Sequence, residues 1–266
     1  MSSTRLFSLG SGSSGNAFLL DTGDVALLFD SGIGIRRMQL HLRELQVQQR
    51  LGAVLLSHEH SDHIRSLDAV NRHYRPQLVA TPGTVSGARS VHAFDHSVRG
   101  ASQNLHGVTV HWIGVDHDAT EPAGWLIEAP DVTVALFTDL GNVSDTVRSA
   151  IGVADVVVLE SNYDTQMLAR GPYPAHLKRR ITSSVGHLSN DDCASALVAA
   201  LTPKTRQVWL AHLSETNNTP RAAVQTNLTA LELNGIVVGV DALPRHDLRD
   251  LLAIPPRQLG LGGLLD

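Results

Sequence analysis

Residues 58–63 read His-Glu-His-Ser-Asp-His, which puts three imidazoles and two carboxylates into six consecutive positions. With only Ser57 between, they follow Gly52-Ala53-Val54-Leu55-Leu56, a short apolar run of the kind that forms a buried strand. Residues two apart in an extended turn point the same way, so His58 and His60 can face one ion. Asp62 and His63 fall where a helix begins and can face a second position beside it. Neutral imidazoles with a carboxylate form a borderline donor set that suits Zn²⁺, Mn²⁺ or Fe²⁺. A solvated polar turn is the bland alternative, and this many ligand-type side chains behind a buried strand disfavour it. Glu59 points away from the ion in this geometry and is not expected to bind it.

The remaining pattern predicts an α/β (α+β) chain. RLFSLG, NAFLLDT and VALLFDSG read as short strands, then Ile35 to about Gln48 as a helix with His41 on its solvated face. Residues 62–75 are expected to be helical, PQLVAT a strand, and Thr81-Pro82-Gly83 the start of a helix through Arg89. Residues 90–106 look like a loop or lid carrying His92 and His96, which a surface loop explains best. GVTVHWIGV, AGWLIEA, VTVALFTD, ADVVVLES and RQVWLAH read as strands, with GIVVGV as the last. Helices are expected from Tyr163, from Ser189 to Ala200 behind a Ser189 or Asn190 cap, and over 219–231. Two mixed sheets covered by helices suit this order better than a doubly wound fold. The one Gly-rich loop, GSGSSGN, joins two strands and so does not match a dinucleotide site. No linker interrupts the chain: 1–253 reads as one domain, with the Pro/Gly-rich 254–266 as a tail or arm.

Composition removes several classes. A single cysteine, Cys193, excludes a disulfide framework and a Cys-rich zinc site and suggests a cytoplasmic setting. Neither a signal-peptide pattern nor an apolar run long enough for a membrane span is visible. A net charge of −5 argues against a broad basic nucleic-acid footprint, although Lys178-Arg179-Arg180 is a local basic spot.

HxHxDH at a strand end resembles the signature of the metallo-β-lactamase superfamily, an αββα four-layer sandwich with two mixed β-sheets flanked by helices. The resemblance implies later ligands at strand ends in the order His, Asp, His. His117 in GVDHDATEPAGW, Asp139 in VALFTDLGN and His212 in VWLAHLSETNN fit that order. It further implies two divalent ions per chain, Zn²⁺ or Mn²⁺: His58, His60 and His117 on the first, Asp62, His63 and His212 on the second, and Asp139 bridging. SLGSGSSGNAFLL, HDATEPAGW, FTDLGN, ESNYD, SSVGHLSNDDC and AHLSETNN together resemble the YycJ/WalJ-type hydrolases, relatives of the ribonuclease J and β-CASP nucleases without their large insert. This likeness runs from Leu6 to about Asn218. One departure is His63-Ile64-Arg65-Ser66, where a small residue often follows the histidine; it is expected to alter helix packing.

The implied activity is a dinuclear-metal phosphodiesterase, a 5′→3′ exonuclease on single-stranded or duplex DNA ends, with a metal-bridging hydroxide as nucleophile oriented by Asp62. Glu160 and His187 match the β-CASP carboxylate and Gly-His turn. His187 is expected to meet the phosphate or donate a proton, with Glu160 holding its tautomer. Ser14 and Asn16 in the Gly-rich loop, and Ser184 and Asn190 around the Gly-His turn, are candidate substrate contacts. The alternative is a thioester or lactone hydrolase of the glyoxalase II type, whose acyl chemistry needs neither Glu160 nor the GHLSN turn. A flavo-diiron redox centre is disfavoured by His60, and a non-catalytic metal protein by the complete ligand set.

Overall fold

The structure, a computed structural model, describes residues 4–88, 95–96 and 102–253. In chain order the strands are β1 (Arg5–Gly10), β2 (Ala17–Asp21), β3 (Ala26–Phe29), β4 (Leu51–Leu55), β5 (Gln77–Ala80), β6 (Asp95–His96), β7 (Ser102–Leu105), β8 (Val108–Gly114), β9 (Ala123–Glu128), β10 (Thr133–Phe137), β11 (Val156–Glu160), β12 (Gln207–Ala211), β13 (Gly239–Ala242) and β14 (Arg249–Asp250). The helices are α1 (Ile35–Glu44), α2 (Ser61–Ile64), α3 (Leu67–Tyr74), α4 (Pro82–Gly87), α5 (Asp145–Gly152), α6 (Thr165–Arg170), α7 (Ala175–Ile181), α8 (Asn190–Ala200) and α9 (Pro220–Leu233).

Two seven-stranded sheets form among the described residues, in the orders β14-β1-β2-β3-β4-β5-β6 and β13-β12-β11-β10-β9-β8-β7. Each is an antiparallel meander on one side and parallel on the other: β3 to β6 run parallel in the first, and β10 to β13 in the second. The inner parallel strands β3 and β4, and β11 up to its terminal Glu160, are apolar because both of their faces are covered. On β11, Val156 and Val158 face the other sheet with Phe29, Leu55, Trp112, Trp125 and Trp209. Val157 and Leu159 point the other way, against Val147 and Ile151 of α5 and Leu197 of α8. Outside the first sheet, Leu28 and Val54 pack against Met38 and Leu42 of α1 and Val70 of α3. Three apolar layers of this kind require four structural layers, helix, sheet, sheet, helix, as expected. With few aromatics, the inter-sheet layer still contains the three tryptophans, and Phe29 meets Trp125 edge-on at 5.1 Å.

Several local expectations need correction. The helix expected over 62–75 is two, α2 and α3. Ser66 breaks it, because its N–H donates to Ser31 O (2.8 Å) and its hydroxyl to Ile33 O. That is how the unusual Ile64-Arg65-Ser66 run acts on the fold. His41 is buried on α1 with Nδ1 3.3 Å from Glu44, not solvated. Ser102–Leu105 is strand β7, which trims the expected loop; His92 and the tail 254–266 lie outside the described residues. The final sheet segment starts at Gly239, after a left-handed Gly235 (φ 70°), and β14 follows it. Helix α5 has no counterpart in the sequence reading. Ser189, not Asn190, caps α8, its Oγ accepting from Asp192 N at 3.0 Å.

Backbone stitching fixes the start of α2. Asn16 N donates to Asp62 O (2.8 Å), Gly32 N to Asn16 O (2.9 Å) and Ser31 N to His63 O (2.7 Å). This closeness demands a glycine: a Cβ at Gly32 would stand 1.5 Å from Asp62 O. Gly32→Ala should therefore cost about 3 kcal/mol or more by denaturant titration. Gly34→Ala, where a Cβ meets nothing within 4 Å, should cost under about 1 kcal/mol. Equal effects from the two changes would refute this account of the turn.

Candidate metal centre

The rim where β4, β10, β11 and β12 end gathers the polar side chains. His58 follows β4, and His60, Asp62 and His63 surround the first turn of α2. His117 lies between β8 and β9, Asp139 just after β10, Glu160 at the end of β11, and His212 directly after β12. Asp30, Asp139 and His212 each adopt a left-handed backbone, with φ of 61°, 57° and 54°. Such a residue costs roughly 1–2 kcal/mol in a non-glycine chain. At all three positions the strand turns off sharply, and the strain falls on residues that carry a side chain into the site.

His58, His60 and His117 form one group. His117 Nδ1 faces the Gly186 carbonyl at 3.0 Å, so that nitrogen carries the proton and Nε2 keeps a lone pair. The Ser57 hydroxyl donates to Asp30 (2.8 Å) and accepts from His58 Nδ1 (3.0 Å), which leaves His58 Nε2 a lone pair as well. These atoms lie 3.0 Å (His58) and 3.3 Å (His117) from His60 Nδ1. A proton on His60 Nδ1 can satisfy only one of the two lone pairs that converge on it, whereas a cation among the three nitrogens satisfies all of them. Donors at zinc distance around a tetrahedral ion stand about 3.3 Å apart.

Asp62, His63, Asp139 and His212 form a second group, with donor atoms within 4.8 Å of one another. His63 Nδ1–H donates to Asp30 Oδ2 (2.7 Å), turning Nε2 to Asp139 Oδ2 (3.0 Å). His212 Nδ1–H donates to Glu160 Oε1 (2.7 Å), and its Nε2 lies 3.6 Å from Asp62 Oδ2. Asp139 Oδ2 and His212 Nε2 are buried with no hydrogen-bond partner. Although His63 Nε2 stands 3.0 Å from Asp139 Oδ2, neither that oxygen nor His212 Nε2 has an aligned hydrogen-bond partner, and a carboxylate oxygen and an imidazole nitrogen left so in a buried cluster fit a divalent cation.

The same geometry sets the protonation. Burial works against a charged His212, but Asp139 and the bonds to Asp62 and Glu160 outweigh it and push its pKa up to about 10. Burial likewise opposes a charged His63, and Asp30 and Asp139 still hold its pKa well above the ordinary value. Burial would raise the Glu160 carboxyl, but His187 and His212 bring it down to about 2. His58, by contrast, is kept neutral by burial and by His63 beside it.

A family profile described as Beta-lactamase superfamily domain matches residues 26–213. The chain belongs to the metallo-β-lactamase superfamily. It is 35% identical over 242 residues to exodeoxyribonuclease WalJ of Streptococcus pneumoniae serotype 2 (strain D39 / NCTC 7466), spanning 88% of this chain and 90% of that one. Exodeoxyribonuclease YycJ of Bacillus anthracis is also 35% identical, over 247 residues, 90% of this chain and 93% of its own. The metallo-β-lactamase-fold protein YhfI from Bacillus subtilis shares the fold, with a TM-score of 0.73 at 15% identity over 93% of this chain and 98% of that one.

Within this metallo-β-lactamase fold the seven expected ligands converge, and His187 and Glu160 stand beside them, His187 Nδ1 donating to Glu160 Oε1 at 2.9 Å. The four expected substrate contacts are placed differently. None lines the cavity of about 360 Å³ over the site. Asn16 is buried, bonded to Gly12 N (2.9 Å) and 3.1 Å from His63 Nε2, so it braces the loop and the ligand. Asn190 is buried in a bond with the Ser161 hydroxyl (2.7 Å), Ser14 presents its carbonyl to Arg65 (2.9 Å), and Ser184 is exposed. Ser13, Asn162, Tyr173 and Ser214 line the cavity without standing out individually in the sequence, and Arg180 of the local basic spot lines it with them. Asp30 was also missed; its one visible sign is an acid closing the apolar run of β3.

Asp30→Ala removes the acceptor that orients His63, and metal affinity should fall about 10–100-fold in a competitive chelator titration. Because His63 and His212 hold protons at neutral pH in the metal-free protein, cation uptake must displace them. Calorimetry in buffers of different ionisation enthalpy should register the release of about two protons at pH 7. Affinity should climb with pH and level off only past about 10, where His212 is already neutral. A pH-independent affinity between pH 6 and 8 would contradict the assignment.

Proposed function

We propose that the chain is a metal-dependent phosphodiesterase, a 5′→3′ exodeoxyribonuclease acting on single-stranded or duplex DNA ends with two Zn²⁺ or Mn²⁺ ions. His58, His60 and His117 would hold one ion, Asp62, His63 and His212 the other, and Asp139 both. When bound, the pair supplies a hydroxide nucleophile at neutral pH and neutralises charge on the phosphodiester. The names of the WalJ and YycJ relatives support deoxyribonuclease activity. The polarity rests on the β-CASP likeness. A cytoplasmic setting rests on the lone cysteine, Cys193, which is buried and free.

The observation that carries this reading is the sharing of Glu160. One oxygen, Oε1, accepts from both His212 Nδ1 (2.7 Å) and His187 Nδ1 (2.9 Å). The other, Oε2, accepts from Leu140 N (3.0 Å) and Leu188 N (3.2 Å), which fixes the carboxylate in place. His187 is thereby held in one tautomer, its Nε2 left for the cavity that the ring lines. Burial opposes a charged ring, but Glu160 and Asp139 raise the His187 pKa, so the ring can carry a second proton on Nε2, and a proton donor there is what a departing alkoxide requires. A thiolate, with an ordinary pKa near 8.5, leaves unaided. The positioned His187 therefore favours phosphodiester over thioester cleavage.

Oligonucleotides labelled at the 5′ or 3′ end should lose the 5′ label first as mononucleotide, and only with added Zn²⁺ or Mn²⁺. Bis(p-nitrophenyl) phosphate should turn over where a thioester does not. His58→Ala should reduce every rate to background, and any rate that survives it undiminished would point to a contaminant. His187→Ala should bind metal normally yet lose about 10²–10⁴ in kcat. A faster thioester rate would transfer the assignment to the glyoxalase II class.

A further inference from the structure

Helix α7 buries none of its residues, although Leu177 and Ile181 stand four apart, the spacing that normally faces a core. Both line the cavity over the candidate metal centre, together with Tyr173 from the turn before the helix and Arg180. An apolar stripe turned to an open cavity gains its burial when a ligand lies on it.

The three basic residues of α7 also divide. Placed in the last turn, all of them complement the helix dipole. Lys178 does so while donating to Ala169 O (2.7 Å), and Arg179 is exposed. Arg180 instead donates through Nε to Asp118 Oδ2 (2.6 Å). Asp118 Oδ1 in turn lies 3.4 Å from His117 Nε2 and 4.0 Å from His60 Nε2. A guanidinium thus stands one carboxylate away from the ligand cluster. Among the described residues, only Asp118 accepts from it, so its terminal amino groups form a free fork of the kind that matches two phosphate oxygens.

We infer that this wall is a nucleotide subsite: Arg180, braced by Asp118, takes the backbone phosphate next to the cleaved bond, and Tyr173 with Leu177 and Ile181 takes the face of the adjoining base. The inference rests on the phosphodiesterase reading and adds what makes a nucleic-acid strand, rather than any phosphodiester, the substrate. Stacking uses the π-face common to all bases, so the subsite is indifferent to sequence. The wall is also tied to the reacting groups. His187 N donates to Ile181 O (2.9 Å), and Gly186 O receives His117 Nδ1 (3.0 Å).

The test uses the metal-loaded full chain and three single-stranded oligonucleotides: unmodified, abasic next to the 5′ terminal bond, and with a neutral methylphosphonate as the adjacent linkage. The wild type should prefer the unmodified strand by about tenfold over each of the others. Tyr173→Ala should raise KM and collapse the preference against the abasic strand to within about twofold while keeping the preference against the methylphosphonate. Arg180→Ala should do the reverse, and Arg180→Lys, which still neutralises Asp118 but lacks the fork, should fall between. Arg179→Ala should keep both preferences. Cleavage with unaltered preferences in Tyr173→Ala and Arg180→Ala overturns the subsite alone. Failure of the wild type to cleave any oligonucleotide overturns the nuclease reading and the subsite with it.

Discussion

Asp139 is the point at which the two ligand groups meet. Its carboxylate lies 3.0 Å from His63 Nε2, 3.3 Å from His212 Nδ1, 3.7 Å from His187 Nδ1 and 4.0 Å from His117 Nε2, and it is almost fully buried. An ionised carboxylate withdrawn from water costs several kcal/mol unless positive charge surrounds it. In the metal-free chain, protons on His63 and His212 provide that charge; divalent cations held by the cluster would take their place. The rim of the sandwich therefore demands positive charge by construction. The left-handed turn at Asp139 makes this possible, because it points the side chain across the rim and not along β10.

The ligand groups need accurate placement, and a buried amide network beneath them supplies it. Asn218 Nδ2 donates to the carbonyls of Ser161 (2.9 Å) and Asn162 (3.0 Å), and Asn190 Nδ2 donates to Asn218 Oδ1 (3.1 Å). The Ser161 hydroxyl bonds Asn190, and Asn162 Nδ2 donates to His212 O (2.7 Å). The end of β11, the start of α8 and the turns after β12 are thus one hydrogen-bonded body. Networks of this kind rigidify a site when fully satisfied and destabilise it when they are not. The ESN, GHLSN and SETNN stretches, far apart in the chain, are three edges of that body.

What the sequence disclosed follows from this division. The strand-end residues of the candidate metal cluster were legible because each follows within three residues of a strand whose apolar run marks it: His58 after β4, Asp139 after β10, His212 after β12. The sandwich was legible because a strand such as VVVL must be covered on both faces. Asp30 and Ser57 were not, since their work is done through Asp30 bonds to residues 27 and 33 positions away, which no local pattern records. Asn16 and Asn190 stand out in the sequence as candidate substrate contacts, whereas in the structure both bond protein groups and neither lines the cavity. In the sequence Arg180 is one of three cations in a basic spot that could meet nucleic acid, and its pairing with Asp118 and its place in the cavity wall separate it from Arg179. The broken helix at Ser66 escaped because the hydrogen bonds that break it come from residues 31 and 33.

The charge balance narrows how such a site handles a polyanion. With a net charge of −5, the chain as a whole repels nucleic acid, so attraction has to be local. The local sources are the positive charge that Asp139 and its neighbours require and the guanidinium of Arg180, all within one cavity. A protein that grips many phosphates along a basic track binds tightly, and its affinity falls steeply with salt. A chain that neutralises only the phosphates at the reacting end binds weakly elsewhere and releases its product readily. That distribution matches the proposed action on strand ends, which would place discrimination in the cavity itself, between the candidate metal cluster and the exposed face of α7.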